Sequence, residues 1–132
     1  MDRTRAQRAG DAAEALVAER LVRAGWSILG RNVHAGRSEL DLVAVDPGPP
    51  ARLVIVEVRW RRSRQFGLPE ETLDYRKRAQ LRLGIGRLLE AGHLPDGSAL
   101  PRLPIAVDLA VVEPGLAGGG PTARLYRDVL AG

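Results

Sequence analysis

Apolar residues recur at helical spacing near the start of the chain, at Ala9, Ala13, Leu16, Val17, Leu21 and Ala24, with Gly25 as the stop. This spacing predicts a first helix over Thr4 to Ala24, with Gly10-Asp11 as an alternative start. Trp26 to Leu29 reads as a short strand, and residues 30–38 (GRNVHAGRS) read as a polar turn. Glu39 to Val45 and Leu53 to Trp60 then alternate or run apolar on either side of DPGPPAR, which predicts an antiparallel hairpin. SRQFGLPEE reads as a loop into a second helix from Asp74 to Ala91, with Asp74 as N-cap and Gly92 as C-terminal stop. Leu81, Ile85, Leu88 and Leu89 make its expected buried stripe, while Gly84 and Gly86 weaken its middle. After the connector HLPDGSALPRLP, Ile105 to Val112 is almost wholly apolar, as suits a central strand covered on both faces. EPGLAGGGPT is a further loop, and Arg124 to Val129 is a weaker last strand. The expected architecture is α/β: one domain over residues 1–132, with a central mixed β-sheet flanked by helices.

Composition narrows the chemistry. The chain has 132 residues, 45% hydrophobic and 27% charged, enough to bury a core. Only 4% is aromatic, which argues against reading single strands on aromatic platforms. No stretch reaches the roughly 20 apolar residues of a membrane helix. The start MDRTRAQRAGDAAEA has no apolar signal run, so a cytoplasmic protein without a membrane partner is expected. The absence of Cys excludes disulfides, thiolate metal sites and cysteine nucleophiles. His34 and His93 lie in polar connectors without ligand-spaced neighbours. Charge is uneven. Residues 59–87 hold nine basic residues against Glu70, Glu71 and Asp74, a local net of +6 in a chain of net +4. Such a block suits either a polyanion partner or a solvated helix face.

Three acidic residues stand at positions expected to be apolar. Glu57 is embedded in LVIVEVRW, on one face with Leu53, Ile55 and Arg59, and Asp41 shares a face of ELDLVAV with Glu39, Val43 and Val45. If the hairpin pairs Val45 with Leu53, then 43 faces 55, 41 faces 57 and 39 faces 59, so Asp41 and Glu57 oppose each other. Like charges so placed repel, and a bound Mg²⁺ or Mn²⁺ would reverse the sign. The alternative is that Asp41 pairs with Arg59 or Arg37 and Glu57 reaches solvent. Glu14 falls in register with Gly10, Val17, Ala18 and Leu21 on the inward stripe of the first helix, although Asp11 and Glu14 also resemble a capping box. Lys77 is the only lysine, in register with Leu81, Ile85 and Leu88. It either faces a phosphate or snorkels out past the core.

Together, GDAAEALVAERLVRAGWSILGRN, SELDLVAV, LVIVEVRWR, FGLPEETLDYRKRAQL and IAVDLAVV resemble the YraN-type family of small bacterial endonuclease-like proteins, related to archaeal Holliday junction resolvases. The family's Gly-x-x-x-Glu helix is matched by Gly10 and Glu14, and its following Asn by Asn32. Its Gly-Glu-Ile-Asp-Leu-Ile is matched by residues 38–43, and its Val-Glu-Val-Lys by Val56, Glu57, Val58 and Arg59. Phe66, Gly67, Pro69, Glu71 and Lys77 match the next block, and Val107-Asp108-Leu109 the late strand. The resemblance implies a restriction-endonuclease-like (PD-(D/E)XK) core, with Asp41 and Glu57 as metal ligands and Glu14 as a further acidic member of the site. Arg59 stands where the family's Lys assists the attacking water. Two departures bear on this. Ser38 replaces a Gly whose turn conformation Ser resists, and Arg59 does not release a proton near neutral pH.

Two functions of different class are therefore expected. The first is a metal-dependent nuclease acting on DNA or RNA phosphodiesters, DNA ahead of RNA, with Glu14, Asp41, Glu57 and Arg59 as catalytic residues. Mg²⁺ or Mn²⁺ would be its cofactor, and Arg61, Arg62, Arg64 and Lys77 would bind nucleic acid. The second is a non-catalytic nucleic-acid-binding module with a degenerate nuclease site. A more distant third is an assembly partner docking through its Gly- and Pro-rich loops, and a homodimer is left open.

Overall fold

The computed structural model describes residues 4–61, 73–116 and 118–131. Helix α1 spans Arg5–Arg23 and starts at Thr4: the Thr4 hydroxyl accepts from the Gln7 N–H at 3.1 Å, and the Gln7 side chain accepts from the Thr4 N–H at 2.8 Å. This reciprocal cap satisfies two of the free N–H groups of the first turn. It removes the Gly10-Asp11 start and the Asp11–Glu14 capping box, since both residues lie inside the helix.

Strand β1 is longer than the sequence predicts. It runs Ser27–Ala35, and the expected turn over 30–38 shrinks to Gly36 and Arg37. Polar Arg31, Asn32 and His34 are the exposed positions of an edge strand whose Val33 and Ala35 point inward. A bulge between Ile28 and Gly30 and a left-handed Asn32 (φ 51°) break the simple alternation, which is why the segment reads as a turn. Strand β2 (Ser38–Asp46) follows, and the φ > 0 of the turn falls on Gly36 (φ 64°), so Ser38 bears no backbone strain.

Strand β3 (Arg52–Trp60) pairs antiparallel with β2 in the predicted register, Val45 with Leu53 and Val43 with Ile55. Helix α2 (Tyr75–Ala91) is capped by Asp74, whose carboxylate accepts from the Lys77 N–H, and ends at left-handed Gly92 (φ 75°). Its buried stripe is Leu81, Gly84 and Leu88, with Ile85 partly covered. Leu89 is 49% exposed, against expectation, because the buried stripe turns through Leu81, Gly84 and Leu88 and leaves it outside. A Cβ at Gly84 would stand 2.9 Å from the Ser38 Cβ, so the glycine lets α2 lie directly on β2.

Strand β4 (Ile105–Glu113) runs parallel to β3 and is buried along almost its whole length. Strand β5 spans Thr122–Tyr126, ending before the predicted Val129. Beyond it, Arg127 turns to ion pairs and Asp128 is left-handed (φ 54°), which breaks the ladder. The sheet order is β1-β2-β3-β4-β5, with only the β3/β4 pair parallel. Helix α1 packs Ala13, Val17 and Leu21 on one face, against Leu42, Ala44, Val54, Val56 and Ala110. Helix α2 packs Leu81 and Leu88 on the other, against Leu40, Val43, Leu53, Ile55 and Leu109. The fold is thus α/β, a five-stranded mixed sheet with a helix on each face. No described helix is long and apolar enough to cross a membrane.

Candidate functional site

The β2/β3 ladder ends at Leu42 and Val56. One residue beyond the last pair on each strand come Asp41 and Glu57. The Asp41 carboxylate accepts the Val58 N–H at 2.9 Å, so a side-chain oxygen takes the place of a strand carbonyl where the two strands part. Glu57 is 3% exposed on the α2-facing side of the sheet, continuing the row of Leu53 and Ile55.

The first turn of α2 closes over this pair. The Asp74 cap fixes the Lys77 backbone, and the Lys77 Nζ stands 3.3 Å from Glu57 Oε1, with Arg59 Nε 3.5 Å from the same oxygen. Glu57 thus takes two cations on one oxygen and does not reach solvent. Its Oε2 is buried without a hydrogen-bond partner among the described residues. Lys77 neither snorkels out past the core nor stands apart from the acidic pair, and Asp41 is held by backbone, not by Arg37.

Burial is the main force on these carboxyls. It pushes Glu57 up to about 7, Asp41 adds to the rise, and Lys77 and Arg59 offset only part of it. Asp41 is also raised by burial, against the Val58 N–H, the Lys77 charge and a hydrogen bond with Glu57. The two carboxyls therefore lie within hydrogen-bonding reach and titrate as a pair.

Glu14 points inward from α1, as its register predicts. Burial and the Asp41 charge push it up to about 7, while Arg31 and a hydrogen bond to Asn32 pull it down. Its Oε1 is buried without a hydrogen-bond partner among the described residues. Among the described residues no three His, Asp or Glu side chains come together closely enough to hold a metal, so Glu14 flanks the Asp41–Glu57 pair without completing a ligand set with it.

The basic block divides. Arg59 and Lys77 belong to the acidic pair. Arg78 holds the fold together, its Nε donating to the Leu73 carbonyl at 2.8 Å and its Nη1 to the Val129 carbonyl at 3.1 Å. Arg61 is half-buried and already engaged in the fold, while Arg76, Arg82 and Arg87 are exposed along α2. Arg62 and Arg64 lie outside the described residues, as do Phe66, Gly67, Pro69 and Glu71. A hollow of about 290 Å³ opens beside Lys77, between the β1–β2 turn and α2. His93 is spent on a 3.0 Å contact between its Nδ1 and the Leu94 carbonyl.

The family pattern matches Asn32 and Asp108, but no role was expected of either. Asn32 has a left-handed backbone and lies against Glu14. Asp108 is fully buried in β4 and ion-pairs with Arg127 at 2.6 Å, and Arg127 also reaches Asp46 at 2.6 Å. The signal for Asp108, a lone acid in IAVDLAVV, is the same one that singles out Glu57.

The model of the uncharacterised protein family UPF0102 matches residues 13–112, which include Glu14, Asp41, Glu57, Arg59 and Lys77. A UPF0102 protein of Symbiobacterium thermophilum is 38% identical over 110 residues, covering 83% of this chain and 85% of the relative. One from Roseiflexus castenholzii is 35% identical over 112 residues, covering 85% and 84%. One from Xanthomonas campestris is 42% identical over 95 residues, covering 72% and 74%. With three quarters of the chain inside the family model and relatives aligned over most of their own length, the chain belongs to the UPF0102 (YraN-type) family.

Proposed function

We propose that this protein is a cytoplasmic, metal-dependent nuclease acting on nucleic-acid phosphodiesters, DNA ahead of RNA, on a restriction-endonuclease-like (PD-(D/E)XK) core. One observation carries the proposal: two adjacent carboxyls, Glu57 buried and Asp41 half-buried, at the point where β2 and β3 part, with Lys77 and Arg59 against one oxygen of Glu57. Structural ion pairs do not need two adjacent acids, whereas a site for a divalent cation and a phosphate does.

The residues present fit such an ion. Asp41 and Glu57 would hold Mg²⁺ or Mn²⁺, and the Oε2 of Glu57, without a hydrogen-bond partner among the described residues, is a hard oxygen donor of the kind these ions take. When bound, the ion would supply a Lewis acid for the phosphate and a water of lowered pKa. The chain's own groups do the rest. Lys77 and Arg59 hold positive charge where a phosphate oxygen would gain negative charge. Arg59 stays protonated, so it orients and stabilises but takes no proton. Glu14, at about 7, is able to exchange a proton near neutral pH.

The test is thermal unfolding in millimolar Mn²⁺ together with cleavage of branched, single-stranded and duplex substrates. The wild type is expected to gain stability with metal, and Asp41→Asn and Glu57→Gln to lose that gain along with cleavage. A wild type indifferent to Mn²⁺ and unable to cleave would overturn the reading.

One observation favours the second reading, a nucleic-acid-binding module without catalysis: Arg59 contacts Glu57 where a proton-transferring lysine would serve. Arg59→Lys separates the two. General acid–base assistance contributes about 10²–10⁴-fold, so an enzyme lacking only that group gains cleavage with lysine. A module that binds with or without lysine, and cleaves with neither, is not an enzyme.

A further inference from the structure

We infer that the hollow between the β1–β2 turn and α2 is a nucleobase subsite, receiving one unpaired base beside a phosphate held at Lys77. The inference rests on the nuclease reading above and names its substrate class: a strand carrying an unpaired nucleotide next to the cleaved bond.

Size and lining both point to a base. The hollow holds about 290 Å³, near the ~300 Å³ lower end of small-molecule sites, which suits one nucleoside and not two. Leu83, 55% exposed, supplies apolar surface for a ring face over the buried Leu40 and Leu81, and Arg37 supplies a planar guanidinium of the kind that stacks on bases. Glu39 and Gln80 line the same space with groups that pair with base edges. With so few aromatic residues in the chain, aliphatic and guanidinium surfaces are the means left for holding a ring.

The hollow is built into the fold. The Ser38 hydroxyl donates to the Gln80 carbonyl at 3.3 Å, tying the start of β2 to the middle of α2. Gly84 allows that approach, since a Cβ there would press on Ser38 and Leu40. Position completes the case. Lys77 lines the hollow while its Nζ stands 3.3 Å from Glu57 Oε1, so a nucleotide seated here has its phosphate at the acidic pair.

A base inside a duplex is stacked and its pairing edge is occupied. It enters such a concavity only when extruded, at a cost smallest for a nucleotide already unpaired. Glu39 accepts hydrogen bonds and donates none when ionised, so it favours bases bearing an exocyclic amine over uracil or thymine, whose single N3–H is flanked by two carbonyls that repel it.

The test is a backbone amide NMR titration of the metal-free full chain with CMP, UMP and ribose 5-phosphate. CMP is expected to shift the amides of Glu39, Gln80 and Leu83 and to bind about tenfold tighter than ribose 5-phosphate, with UMP between them, since one good base-edge pair discriminates by that order. Glu39→Gln, at an exposed position, should bring CMP and UMP within about twofold of each other, and Gln80→Ala should weaken both. Equal binding of CMP and ribose 5-phosphate, with shifts confined to Arg59 and Lys77, would overturn the subsite and leave the nuclease reading standing. Shifts in neither set also overturn it. Failure of the nuclease reading shows elsewhere, as no Mn²⁺ response and no cleavage.

Discussion

Glu57 shows how one residue is made useful by being badly placed. A carboxylate in an apolar strand costs stability when ionised, and the fold raises its pKa from an ordinary 4.5 to about 7. Between those values the native state holds protons that the unfolded chain has lost, so stability falls as pH rises across the interval and levels off above it. Glu14 acts in the same direction over the same window. Urea unfolding in a chelator at pH 5 and pH 8 should therefore find the protein more stable at pH 5, and Glu57→Gln should flatten that difference. Stability rising from pH 5 to pH 8 would contradict the burial of these carboxyls. Because ligands must be deprotonated to bind, any Mn²⁺-induced stabilisation should grow over the same window, opposite in sign to the metal-free trend.

At the scale of elements, α2 carries two glycines with opposite roles. A Cβ at Gly84 would meet Ser38 and Leu40 at 2.9 Å and 3.3 Å, whereas at Gly86 it would meet nothing within 4 Å. Gly86→Ala should stabilise the protein by roughly 0.5–1 kcal/mol, since it removes backbone freedom from the unfolded chain without a clash. Gly84→Ala should destabilise it instead, by about 1–3 kcal/mol as overpacking does. It should also disturb the Ser38–Gln80 contact that shapes the hollow. Denaturant midpoints of the two variants test this: equal shifts would mean α2 does not depend on close contact with β2. The helix spacing rightly marked both glycines as weak points of α2. Only the approach of β2 tells which one is required.

For the whole molecule, the notable tie is Arg127. Its guanidinium joins Asp46 at the end of β2 to Asp108 in β4, both at 2.6 Å, and lies 5.2 Å from the Trp26 ring centroid. One side chain thus links strands that are not neighbours in the sheet and covers the α1-side core. Arg127→Ala leaves Asp108 buried, with the Asp128 N–H at 2.9 Å as its remaining partner. Losing one partner of a buried pair costs about 3–5 kcal/mol, and with the Arg127 side chain 43% exposed we expect about 2 kcal/mol here. In an Asp108→Asn background the same change should cost clearly less, and additive costs would show that the pair is not coupled. The charge block also belongs to this scale. Replacing Arg61, Arg62 and Arg64 by Ala should lower the slope of log affinity for duplex DNA against log salt by about 0.9 per lost phosphate contact. Because Arg61 is already engaged in the fold, its share of that change should be the smallest.

By itself the sequence determined whatever depends on periodicity and register. The strand pattern on either side of DPGPPAR set the β2/β3 pairing, and its register brought Asp41 and Glu57 to the end of the ladder without knowledge of any other element. The Asp74 and Gly92 caps and the buried run of β4 were equally local. The tertiary structure decided what lies across a gap between elements. Lys77 was in helical register with the core, but its direction depended on α2 closing over the strand ends. Gly84 holds a buried place on α2 because β2 approaches too closely for a larger side chain. Asn32 meets Glu14 through a bulged, left-handed stretch of β1 that no alternation encodes, and Arg127 finds Asp46 and Asp108 only once the sheet is assembled. Local spacing specifies faces and registers, because these follow from neighbouring backbone geometry. Contacts between distant charges depend on burial and close packing, which exist only in the folded molecule.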